Sequence, residues 1–141
     1  MLQDEETAAR LRRLAALLPA IEAEGFVPTT YEAPEGHVPD PRYAEELEEL
    51  HRLVYDDGWL RADLGWPTWM ETPEATALLE DPAAMREATP EQLARVLTVV
   101  VRAERFNEGA MAGAVQSGLL PRLLRRAAAL ASAMENTGHD G

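Results

Sequence analysis

The chain contains no cysteine and no lysine, and only two serines, Ser117 and Ser132. Without cysteine there is no disulfide framework, no thiolate metal site and no thiol nucleophile. Without lysine there is no P-loop lysine and no Schiff-base amine, and all thirteen basic residues are arginine. A basic complement of arginine alone points to a GC-rich bacterium. Both serines lie outside G-x-S-x-G and S-x-x-K contexts, which removes the familiar serine nucleophiles. No run approaches the roughly 18 apolar residues of a membrane span. Asp4, Glu5 and Glu6 do not fit a signal peptide, so a cytoplasmic protein outside the membrane is expected. Nothing alternates with period two for long enough to predict a strand, and no glycine-rich phosphate loop occurs.

What is present is an acidic, moderately apolar chain. Its 141 residues suit one domain, able to bury roughly 68–70% of its unfolded surface. The hydrophobic fraction of 46% is ordinary for a globular protein. The net charge of −12 is unevenly spread: residues 1–90 hold seven arginines against twenty acids, and residues 91–141 hold six against five. An acidic body repels phosphate backbones, which disfavours nucleic acid as a partner. Arg95 to Arg126 spans six arginines with only Glu104 and Glu108 between them. That local excess is read as complementing the protein's own acidic half, with a ligand as the alternative.

Asp40-Pro41, Thr72-Pro73, Asp81-Pro82 and Thr89-Pro90 each set a capping side chain before a proline, the combination that opens a helix. Thr89-Pro90-Glu91-Gln92 is also a capping box. These signals predict a single all-α domain over residues 1–134, with five to seven helices around a central one at Pro90–Phe106. The first helix is expected over about Asp4–Ala23, kinked at Pro19, and a second over Pro41–Asp56. Residues 26–40, with Pro28, Pro34 and Pro39, read as an irregular loop, and residues 135–141 as a disordered tail. On the central helix, Leu93, Val96, Leu97, Val99, Val100, Val101 and Ala103 cover more than half the circumference, leaving Arg95, Thr98, Arg102 and Arg105 as the opposite stripe.

Glu104 falls inside that apolar arc. A carboxylate there needs a cationic or hydrogen-bonding partner, and an ion pair with an arginine is the expected answer, a perturbed general base the alternative. Arg102 and Arg105 can clamp an anion, or pair internally, Arg105 with Glu108, while Phe106 joins the core. Gly109 and Gly113 are read as close packing within the domain, or as a self-association surface. Trp59, Trp66 and Trp69 are expected to plug a small core or to line a pocket. His51, three residues after Glu48, is read as a satisfied core histidine, and neither metal nor cofactor is expected.

The order of these features resembles a bacterial family of unknown function, domain-of-unknown-function family 6508. Its signature R-x-x-R-F-x-E-G is present as Arg102-Ala103-Glu104-Arg105-Phe106-Asn107-Glu108-Gly109, preceded by Trp66-Pro67-Thr68-Trp69. Gly65 stands where the family pattern has an acid. The resemblance spans roughly residues 14–130 and implies a small helical domain without an assigned activity.

Two functional expectations follow. The first is a non-enzymatic interaction module that forms a homodimer or binds another protein. The second is a small-molecule anion pocket built from Arg102, Arg105 and Glu108, with Glu104 beside them and Trp66 or Trp69 as a wall.

Overall fold

Prolines preceded by a capping side chain open three of the helices, as expected. The computed structural model describes residues 2–27, 29–32, 40–106 and 109–138. Among these residues the chain is all-α apart from one short hairpin. Thr72 accepts from the Ala75 N–H to cap α5 (Pro73–Glu80), and Asp81 from the Ala83 N–H to cap α6 (Pro82–Arg86). Thr89 and Gln92 exchange bonds of 2.9 and 3.1 Å, closing the capping box of α7 (Pro90–Phe106).

The fourth pair behaves differently. Asp40-Pro41 lies not in a helix but in a β-strand, Asp40–Tyr43 (β2), paired antiparallel with Thr29–Glu32 (β1). Tyr31 stands opposite Pro41, and Thr29 opposite Tyr43. The expected irregular loop at 26–40 therefore holds β1 and the first residue of β2, whose other three residues come from the start of the expected helix Pro41–Asp56; residues 33–39 lie outside those described. Four-residue strands are too short for alternation to announce them, and a two-stranded ribbon has only edges, where proline is tolerated. Helix α3 consequently starts at Glu45 and ends at Asp56, with Glu45, Glu46 and Glu48 at its positive end.

The N-terminal helix is divided into α1 (Leu2–Ala15) and α2 (Leu18–Glu22), because Pro19 must occupy a first turn. Trp66–Trp69 forms the short α4, Ala110–Gln116 forms α8, and Leu119–Gly138 forms α9. Among the described residues the helical segments exceed the expected five to seven because α2 and α4 are separate pieces of five and four residues. Helix α9 also continues one turn beyond Met134, into residues assigned from the sequence to the tail. No proline interrupts Glu135-Asn136-Thr137, and residues 139–141 lie outside those described.

Two helices organise the core. α7 packs against α3, α4, α5, α8 and α9, and α9 against α1, α2, α6, α7 and α8, with α1 lying along α9. Leu11, Leu14, Leu50, Leu97, Leu120 and Leu123 are fully buried where they meet. Thr98, assigned to the polar stripe of α7, is instead completely buried. Its hydroxyl donates to the Ala94 carbonyl and accepts the Arg61 N–H at 2.9 Å, so residues 59–61 cover the stripe at that point. His51 is exposed rather than in the core, and stacks on Tyr55 one turn later with ring centroids 4.8 Å apart. No described helix is long and apolar enough to cross a membrane.

Candidate functional site

The acid embedded in the apolar arc of α7 serves the backbone. Glu104 accepts the Gly109 N–H at 2.8 Å and the Met111 N–H at 2.9 Å, so its carboxylate closes the start of α8. Gly109 precedes α8 at φ 99°, a left-handed conformation that favours glycine. A Cβ at Gly109 or Gly113 would meet nothing within 4 Å among the described residues, so neither glycine mediates there the close packing expected of them. Gly109 is there for its backbone angle, and Gly113 sits on the exposed side of α8. Arg102 is half-buried; the side chains of Arg105 and Phe106, and all of Glu108, lie outside the described residues. Of the expected Arg102, Glu104, Arg105 and Glu108 cluster, the described geometry thus places Glu104 as a cap and Arg102 beside it in sequence.

The tryptophans lie elsewhere along α7. Trp59 and Trp69 belong to the core, and Trp66 packs half-buried against it. The Trp69 indole donates to Glu74 at 2.7 Å, and Glu74 also accepts from Arg95 at 2.7 Å and from Gln92 at 3.3 Å. Arg95 and Arg61 both reach Glu91, at 3.4 and 3.0 Å. The Trp69 indole, followed by Gln92 and Arg95, holds the Glu74 carboxyl below the ordinary carboxylate range against the opposing effect of burial. Two carboxylates and two guanidiniums satisfy one another here, which fastens α4 and α5 to α7. Arg95 and Arg102 are about 10 Å apart along the helix axis at 1.5 Å per residue. The tryptophan wall and Arg102 therefore stand two turns apart.

A cationic cleft forms on the other hub. Between α6 and α9 lies a cavity of about 440 Å³. Arg86, Arg122, Arg125 and Arg126 line it, with Pro82, Met85 and Ala129 as apolar wall. The sequence places the α9 members together: at about 100° per residue, Arg122, Arg125, Arg126 and Ala129 share an arc of roughly 100°. Leu120, Leu123, Leu124 and Ala127 point the other way, into the core.

Local contacts fix these arginines in different degrees. Arg126 donates its Nε–H to the Ala88 carbonyl at 2.8 Å, just beyond the end of α6. Its terminal nitrogens add further donors, since a guanidinium carries five N–H groups. Arg122 reaches the Ser117 carbonyl at 3.5 Å, and its Nε is buried with no hydrogen-bond partner among the described residues. Gly118, at φ 86°, lets that guanidinium approach: a Cβ there would stand 3.0 Å from Arg122 Nη1. Arg125 is paired with Glu22 from α2, and Arg86 is exposed at the mouth. Four guanidiniums thus face one cleft, and the ion pair described for them is the one with Glu22.

Sequence reasoning missed this cleft. The spacing of Arg122, Arg125 and Arg126 was legible, but Met85 and Arg86 come from a helix some forty residues earlier, and only packing joins them.

The model of the family of unknown function DUF6508 matches residues 6–133. The chain belongs to that family. Both R-x-x-R-F-x-E-G and the four arginines of the cleft lie within the matched part of this DUF6508 protein. No curated protein and no solved structure matches it.

Proposed function

We propose that this DUF6508 protein binds a small anion in the α6–α9 cleft and acts as a binding protein rather than a catalyst. The observation that carries this reading is the gathering of four guanidiniums on one concave site in a chain of net charge −12. Guanidinium groups match carboxylate and phosphate oxygens bidentately, and a concave, partly apolar wall strengthens such contacts over those on an open surface. The lining offers guanidiniums, a thioether and aliphatic carbons, a set suited to holding an anion. This site replaces Arg102 and Arg105 as the proposed anion clamp. A cytoplasmic, bacterial setting is part of the same proposal, on the all-arginine composition.

Isothermal titration with inorganic phosphate and pyrophosphate tests it. Binding is expected for both, tighter for pyrophosphate and weaker as salt rises, with Arg126→Ala and Arg122→Ala each reducing affinity at least ten-fold. Affinity that is unchanged in both variants, while their melting temperatures stay near that of the parent, would place the anion elsewhere and end the reading.

A further inference from the structure

We infer that the ligand of the cleft is an amphiphilic anion: a phosphate or carboxylate headgroup carrying an aliphatic chain. This rests on the anion-binding reading above and adds the ligand's other half. A site for a bare inorganic anion is a small polar socket, closed around the oxygens. The α6–α9 cleft is far larger than one phosphate, and its volume of about 440 Å³ lies within the usual range for organic ligands. Along α9 the arginines of the lining precede its apolar member, Ala129, an order that suits two chemical ends.

The apolar part comes from both helices. Met85 is 1% exposed and forms the floor, a flexible thioether that adapts to chains of different shape. Pro82 on α6 and Ala129 on α9 belong to the same lining, and the arginine stems extend it with methylene groups. The donors lie toward the other end of α9. Arg122 is one turn before Arg126 and about two turns before Ala129, so headgroup contacts at Arg122 and Arg126 leave the chain to run toward Ala129 and Met85. Arg86, exposed at the cleft and without an ion pair among the described residues, closes over the headgroup. Burying each methylene of such a chain adds affinity; for a complete burial the factor is about four-fold, and for an open cleft about two-fold.

The test is calorimetric titration of the full chain with inorganic phosphate and with butyl, hexyl and octyl phosphate, each kept monomeric, and with hexanol as a neutral control. The expected result is a Kd that falls two- to four-fold per methylene until the cleft is filled, with hexanol at least ten-fold weaker than hexyl phosphate. Ala129→Glu, at an exposed position of the wall, is expected to abolish the gain with chain length without lowering the melting temperature. Phosphate binding with a flat response to chain length overturns this inference and leaves the anion reading standing. Binding of hexanol equal to hexyl phosphate, or no binding by any phosphate, overturns both.

Discussion

Glu104 illustrates how one carboxylate can look like chemistry and act as architecture. Its two bonds to the Gly109 and Met111 N–H groups satisfy donors that the start of a helix leaves unpaired. Glu104→Ala is expected to cost about 1–3 kcal/mol, the range for leaving hydrogen-bonding groups of a partly buried site unsatisfied. Glu104→Gln, which keeps one acceptor oxygen, costs less. Thermal melting checks the magnitude, and faster hydrogen exchange at Gly109 and Met111 checks the place; an unchanged exchange rate there would refute the capping role. Glu74 makes a different prediction. Its folded pKa is depressed, so its contribution to stability is present above the ordinary carboxylate value of 4.5 and is lost as pH falls through the folded value. Glu74 is one-third exposed, so Glu74→Gln should destabilise by only about 1–2 kcal/mol at pH 7. The gap between variant and parent should narrow progressively as pH falls below 4.5. A gap equally wide at pH 7 and pH 3 would assign the effect to packing and not to charge.

At the scale of elements, α2 connects the cleft to the rest of the chain. This five-residue helix follows Pro19 and packs on α9, and its Glu22 places a carboxylate on Arg125. A bound anion must share that guanidinium with Glu22. Glu22→Gln removes the internal competitor, so anion affinity is expected to rise about three- to ten-fold, the equivalent of up to ~1.4 kcal/mol. An affinity equal to that of the parent would show that Arg125 takes no part in holding the ligand. Removing one exposed ion pair costs little, within about 1 kcal/mol, so folding does not confound the measurement. The same scale shows why the hairpin was hidden. β1 and β2 are four residues each, and Asp40-Pro41 carries a helix-opening pattern that the pairing with Tyr31 and Glu32 overrides.

For the whole molecule, the two-fold dimer expected from the sequence is kept as a proposal, with a more specific surface. Trp59 and Trp69 are buried, and the large exposed hydrophobics among the described residues are Val27, Tyr55 and Met70. Gly113 lies on the open side of α8, where a second copy could approach closely. If α8 forms the interface, light scattering gives about double the 15.5 kDa chain mass for the parent and the single mass for Gly113→Leu. Within one chain a Cβ at that position meets nothing within 4 Å and the substitution gains helix propensity of up to about 1 kcal/mol, so a loss of the doubled mass is not a failure to fold. A mass of 15.5 kDa for the parent at high micromolar concentration would dispose of the dimer.

Local chemistry along the chain determined much of this protein. Capping residues before Pro73, Pro82 and Pro90, and the breadth of the apolar arc over Leu93–Val101, marked the helix starts and the central helix, because caps and periodicity act within a few residues. Family membership was legible too, in Arg102-Ala103-Glu104-Arg105-Phe106-Asn107-Glu108-Gly109. Tertiary structure decided whatever depends on which elements meet. Thr98 became a core residue because the 59–61 segment lies across it, and Glu74 joined Trp69 to Arg95 because α5 packs on α7. The arginines of α9 became a cleft only because α6 supplies its floor and its fourth guanidinium. Sequence spacing fixes the face of one helix; the facing surface is chosen by long-range burial, which no local pattern encodes.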